Sequence, residues 1–276
     1  MKNIFLIILL MVYCHSLSQN QFIIKSSVDD NTIKYANIYA SDKLVSSSDS
    51  LGNFKIEKKF LESILKITAL GYKTLDSISL KDNSIIYMEA ETIFLDEIVV
   101  SSKIGKTKQK LGKAKNGNIG IVCALGDNTI SQVAKYFNND KGNKAYLDKI
   151  RFKALCSDEN RILTVHIYSV NDNGEPYKVL NGEDIICKLK KGHNTYDIDL
   201  SLYNFSFPQK GLFIALNYLF IEQNKCFKNE NKDWYYYEPS IDAIETKNYI
   251  DSWYNINGIW KKSINYSVSM ELIISN

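Results

Sequence analysis

Beyond the first eighteen residues the chain has two histidines, His166 and His193, and four cysteines, Cys123, Cys156, Cys187 and Cys226. Neither histidine has Glu at the third following position, so the His-x-x-Glu zinc ligand pair is missing. The cysteines form no Cys-x-x-Cys, which removes the zinc-knuckle and thioredoxin-type readings. Cys187 alternates with Ile185 and Leu189 and is expected as a buried free thiol on the apolar face of a strand. A hydrolase triad around His166 or His193 would need a strained nucleophile turn, and the Gly-x-Ser-x-Gly pattern does not occur. Oxygen ligands cluster at Asp172, Asn173, Glu175, Glu183 and Asp184, without the Asp-x-Asp-x-Asp-Gly spacing of a calcium loop. No cofactor, metal or catalytic set is therefore expected.

The remaining chemistry is aromatic. Trp234-Tyr235-Tyr236-Tyr237, Trp253-Tyr254 and Trp260 concentrate flat apolar faces in the last third of the chain. Alternation along a strand sends about half of such a run inward, so packing accounts for part of it. Trp234, Tyr236, Trp253 and Trp260 are the candidate ligand-binding residues, and a glycan is the ligand such rings would suit.

The elements that must position these residues are read as strands. Eighteen Tyr and twelve Phe stand against three Pro and thirteen Gly in 276 residues, a β-favouring composition that excludes a disordered or collagen-like chain. Nine basic side chains face twelve acidic ones in residues 19–102, and fifteen face seventeen in 146–276, while Lys103 to Lys115 holds six Lys and no acid. The formal charge of +3 thus belongs to a connector, which argues against a nucleic-acid surface on a folded domain. The fold expected is all-β. A small sandwich over 19–102 is followed by a Lys/Gly-rich linker over 103–126, a short helix and connector over 127–145, and a jelly-roll-like sandwich over 146–276. The helix expectation rests on Ile130, Val133, Ala134 and Phe137 at i, i+3, i+4 and i+7 after a Thr129-Ile130-Ser131-Gln132 capping pattern. In the second sandwich Leu163, Val165 and Ile167 line one face of a strand, with Thr164, His166 and Tyr168 on the other.

The order Ala36-Asn37-Ile38, Asp49-Ser50-Leu51-Gly52-Asn53-Phe54, Ala69-Leu70-Gly71-Tyr72 and Leu95-Asp96-Glu97-Ile98-Val99-Val100 resembles the carboxypeptidase-like regulatory domain, a prealbumin-like sandwich. That module stands at the front of exported Bacteroidetes proteins, including TonB-dependent receptors. The resemblance covers about 80 residues and implies an accessory sandwich, with no counterpart of a zinc peptidase domain. Pieces of the second sandwich resemble the C-terminal half of exported proteins that pair it with this module, a half that brings no assigned chemistry.

Met1-Lys2-Asn3, the apolar run Ile4 to Cys14 and Ser16-Leu17-Ser18 before Gln19 read as a signal peptide over 1–18, with lipoprotein processing at Cys14 as the rival. The expectation is a non-catalytic protein of the periplasm, outer membrane or cell surface. It binds an envelope protein by strand addition or, alternatively, a glycan, and touches the membrane at most peripherally. An enzyme is the minority reading.

Overall fold

The computed structural model describes residues 21–80, 84–91, 107–124, 129–139, 142, 144–228, 234–247 and 251–275. The leader expected at 1–18, the run at 95–100 and the start of the Lys/Gly-rich stretch lie outside the described residues. The chain forms two compact units that divide between Ala90 and Glu91. All regular elements among the described residues are strands and three short 3-10 turns, so the fold is all-β. No helix among them is long and apolar enough to cross a membrane.

The first unit contains β1 (Gln21–Ser26), β2 (Asn37–Ala40), β3 (Lys43–Ser47), β4 (Asn53–Lys55), β5 (Leu65–Thr68), β6 (Leu75–Ile78) and β7 (Ile85–Met88). They form a three-stranded sheet, β4-β1-β7, and a four-stranded sheet, β3-β2-β5-β6. Alternating apolar residues of both sheets, among them Ile24, Ile38, Phe54, Leu65, Ile67 and Met88, meet in one core. Phe54 anchors β4 by stacking on Phe22, ring centroids 5.3 Å apart. The turn before it needs a glycine: Gly52 has φ 78°, and a Cβ there would lie 2.9 Å from the Ile24 carbonyl oxygen. Asp49 Oδ1 accepts from the Leu51 and Asn53 amides at 2.8 and 2.9 Å, which closes the turn. Ile33 to Ala40 alternates apolar and polar residues, but β2 begins only at Asn37, because Tyr35 at φ 56° breaks the extended backbone.

The second unit contains β8 (Lys108–Gly112), β9 (Ile119–Ala124), β10 (Ile130–Phe137), β11 (Tyr146–Cys156), β12 (Arg161–Val170), β13 (Pro176–Val179), β14 (Ile185–Leu189) and β15 (Gly192–Asp199). It continues with β16 (Leu212–Tyr218), β17 (Lys225–Phe227), β18 (Tyr235–Glu245), β19 (Ser252–Ile256), β20 (Ile259–Lys262), β21 (Tyr266–Val268) and β22 (Met270–Ser275). A seven-stranded sheet runs β13-β12-β16-β10-β19-β20, with β14 also on β12. An eight-stranded sheet runs β17-β18-β11-β22-β8, with β15 on β11 and β9 and β21 on β18. The inner faces are fixed by bonds between the sheets: Tyr218 Oη donates to the Ile121 carbonyl at 2.6 Å, and Lys135 Nζ to the Val268 carbonyl at 3.0 Å.

Two expectations fail here. The helix expected within 127–145 is the strand β10, bonded on one side to β16 and on the other to β19. Because both faces of this central strand are covered, its sequence has no apolar–polar alternation, and the leftover apolar spacing mimics a helical period. The linker expected over 103–126 contains β8 and β9. β8 pairs with β22 from Gly112↔Glu271 to Lys108↔Ser275, and β9 pairs with β18. Its lysines suit a sheet edge, where Lys110 lies 3.6 Å from Glu271 and Lys108 3.3 Å from Asp148. One of its glycines marks close approach and not slack: a Cβ on Gly117 would come within 2.5 Å of the Ala243 carbonyl oxygen, and the Gly117 amide donates to Asp242 Oδ2 at 2.9 Å.

Candidate functional site

In a two-layer sandwich the inner face of each strand packs and the outer face meets water. The eight-stranded sheet follows this rule. Arg151 donates to Asp197 at 2.7 and 2.9 Å, Lys149 reaches the same carboxylate at 3.4 Å, and Arg151 and Lys110 both approach Glu271. The Arg151 hydrogen bond and charge hold the Asp197 carboxyl below the usual carboxylate range.

The outer face of the seven-stranded sheet does not follow it. The first eight residues of β12 and all seven of β16 are buried, without alternation. Register places side chains on this face in rows across the sheet. One row is Tyr168–Phe213–Tyr136, the next His166–Ala215–Ala134–Trp253–Lys262, and a third Thr164–Asn217–Gln132–Asn255–Trp260. The small floor of Ala134 and Ala215 leaves room for the rings above it. Trp253 meets Phe213 edge-on at 5.9 Å, and Trp260 meets Tyr168 edge-on at 5.3 Å. Tyr168 and Trp260 stand on strands four places apart, roughly 19 Å in a flat sheet, so their side chains lie across this face to meet over the strands between them.

A chain of polar groups lies beside the rings. Tyr168 Oη donates to Gln132 Oε1 at 3.0 Å, and Gln132 Nε2 lies 3.2 Å from His166 Nδ1. On the other side of the ring, His166 Nε2 lies 2.9 Å from Asp184 Oδ1. Asn217 donates to Thr164 Oγ1 at 3.0 Å. Its Oδ1 is buried without a hydrogen-bond partner, in a residue only 1% exposed.

The four aromatic candidates separate. Trp253 and Trp260 share this face and are half-buried, packing on Phe213 and Tyr168. Trp234 precedes β18 in the other sheet and is 48% exposed, with the Lys228 ammonium 3.9 Å above its ring. Tyr236 sits on β18 opposite Cys226, and burial pushes its phenol well up. A single four-ring platform is therefore not formed. Gln132, Phe213, Asn217 and the two alanines escaped the sequence reading. The signal available was Asn217, an amide inside the otherwise apolar run Leu212 to Tyr218.

The other candidates find local partners. Asp172 pairs with Lys210 at 2.8 Å, Glu175 accepts from Asn171 at 3.1 Å, and Asp184 is held by His166. Among the described residues no group of three or more His, Cys, Asp or Glu could hold a metal ion. His193 Nε2 bonds Asp242 Oδ2 at 2.8 Å on the charged sheet. Among the described residues the four cysteines are free, and Cys123, Cys156 and Cys187 are buried.

No protein-family model and no curated protein matches the sequence. A solved structure of the cysteine protease and lectin-like domains of Cwp84, a surface layer associated protein of Clostridium difficile, aligns with 13% identity and a TM-score of 0.38. The alignment covers 53% of this chain, which spans only 32% of that one, and at this TM-score it carries no argument.

Proposed function

We propose that this is an exported, non-catalytic binding protein of a bacterial envelope, and that the outer face of its seven-stranded sheet takes the ligand, a glycan. One observation carries the reading: a face that elementary packing assigns to water is instead built of half-buried indoles beside hydrogen-bonding amides. Ring faces suit the C–H surface of a sugar, and amides suit its hydroxyls. His166 supports binding better than catalysis, since both ring nitrogens are occupied by Asp184 and Gln132 and neither faces a nucleophile among the described residues. The first unit is read as the regulatory-like module, a reading supported by its two-sheet core around Phe54 and by Gly52 and Gly71, both at positive φ. Co-sedimentation with insoluble polysaccharides tests the proposal. Retention of the wild type and its loss in Trp253→Ala and Trp260→Ala are expected. Equal retention of all three proteins would remove the face from the account.

Strand addition is supported by a separate feature. Ser84 and Met88 direct their carbonyls to β1, so alternation points the backbone groups of Ile85 and Tyr87 away from it, along the end of the three-stranded sheet. Both side chains are exposed. Capture of an envelope protein that Tyr87→Pro abolishes would establish this partner mode, and unchanged capture would exclude it.

A further inference from the structure

We infer that the glycan taken by the ligand face is acidic, a chain of uronic acids, and that Lys262 receives its carboxylate; the inference rests on the binding role proposed above. Lys262 ends the row of Trp253, directly opposite it across the β19–β20 pair, and follows Trp260 by two residues on the same side of β20. It is exposed, on the last strand of the seven-stranded sheet. Its neighbour Lys261 is opposite Tyr254 and faces the other side.

The charge of Lys262 is uncompensated. Lysines of the other sheet have local partners: Lys149 lies 3.4 Å from Asp197, Lys110 lies 3.6 Å from Glu271, and the Lys228 ammonium rests on the Trp234 ring. Lys262 has neither an ion pair nor a ring contact among the described residues. The acids around this face are engaged elsewhere. Asp251, two residues before Trp253, is held by Lys135, Ser252 and Ser267, and Asp184 is bonded to His166 at the far end of the row.

The neighbouring rings choose the anion. Residues directly opposite on an antiparallel pair have Cβ atoms about 4.5–5.5 Å apart, and the lysine stem carries its ammonium well beyond that. A pyranose laid on the half-buried indole of Trp253 therefore has its rim within reach of Lys262. A hydroxyl there serves the ammonium no better than water does, whereas a C6 carboxylate neutralises it through a charge-assisted hydrogen bond. A small free anion would use the charge and leave the rings idle. A uronic acid uses both.

Lys262→Gln separates this role from a structural one, because an exposed side chain without an ion pair can be exchanged at an unchanged melting temperature. The probes are cellohexaose, maltohexaose and mannohexaose, each beside its counterpart oxidised to the carboxylate at C6. They are titrated by calorimetry into the full chain at low and high salt. An exposed ion pair returns little, so the acidic member of the pair that binds should be held about three- to fivefold more tightly at low salt, a margin that shrinks at high salt. Lys262→Gln should erase the margin and keep the affinity for the neutral sugar, Lys262→Arg should keep the margin, and Trp253→Ala should weaken both members. Equal wild-type affinity for both members, or a margin that survives Lys262→Gln, would overturn the inference and leave the binding face standing. Affinity untouched by Trp253→Ala, or no binding of any probe at millimolar concentration, would overturn both.

Discussion

The two outer faces of the C-terminal sandwich are built by the same alternation and end in opposite states. On the eight-stranded sheet β15 reads buried at Tyr196 and Ile198 and exposed at Thr195, Asp197 and Asp199, and its charges neutralise one another in water. On the seven-stranded sheet the outward positions of β16 are Phe213, Ala215 and Asn217, each about 1% exposed or less. Inside, Phe152, Ile150 and Leu272 of one sheet and Ile214, Val165 and Leu163 of the other are all about 1% exposed or less. Tyr168, Phe213, Ala134 and Ala215 form a second packed cluster on that outer face, with Trp253 and Trp260 laid over it, and this is the face proposed above to take the ligand.

The sharpest contrast lies between an interior and a surface ion pair. Lys135 and Asp251 are 3.2 Å apart with side chains 7% and 9% exposed, and Asp251 Oδ1 also accepts from Ser252 and Ser267. Asp251→Ala strands the Lys135 charge between the sheets and should cost about 3–5 kcal/mol in denaturant unfolding. Asp197→Ala, on the solvated face, should cost under about 1 kcal/mol and less at high salt. Similar losses from both would mean that the charged face is not simply solvated.

Next come the tryptophans. Trp253→Ala uncovers Phe213 and should lower stability by about 2 kcal/mol, short of a full core deletion because the ring is half-buried. Trp234→Ala, exposed on the other sheet, should stay within about 0.5 kcal/mol in the same measurement. Equal costs would show that the outer aromatic layer contributes no more packing than an isolated surface ring.

The inner faces should behave alike. Cys156 and Cys187, one from each sheet, point inward, and burial pushes both thiols from 9.0 up to about 12, with the Glu238 charge adding to the shift at Cys156. The native state thus holds protons that the unfolded state releases. Their contribution is fully present below pH 9 and is lost as pH rises from 9 through 12. Iodoacetamide at pH 8 should leave both thiols unmodified until the protein is denatured, and rapid labelling of either in native protein would contradict this burial.

The smallest effect concerns the segment read as a tether. Limited trypsin digestion should spare Lys108 and Lys110, which are paired along β22, and early cleavage there would restore the linker reading.

What the sequence allowed to be read, and what it hid, follows the same contrast. Strands with one wet face announce themselves: Ile185 to Leu189 and Tyr196 to Leu200 alternate visibly, and Asp49 to Phe54 carries its own turn chemistry. Thr164, His166 and Tyr168 could be assigned to the face opposite Leu163 because polar atoms mark them. Strand β10 could not be read this way, since Ile130 to Phe137 is buried on both sides and only a chance period remained. β8 and β9 were obscured by lysines that serve an edge and by Gly117, which allows two backbones to meet. The candidate site was half legible: Trp253 and Trp260 stand out in the sequence, but their partners Phe213, Asn217 and Gln132 come from β16 and β10, distant in the chain and joined only by register.

The direct test of the ligand face sets one substitution on each outer face against the other. Arg151→Ala removes the centre of the charged ladder, and Trp260→Ala removes the ring that closes over Tyr168. Calorimetric titration of cellohexaose, maltohexaose and mannohexaose should give wild-type affinity for Arg151→Ala and a loss of about tenfold or more for Trp260→Ala with the sugar that binds, both proteins being folded by circular dichroism. Loss of affinity in Arg151→Ala together with full affinity in Trp260→Ala would place the ligand on the opposite sheet and contradict the account.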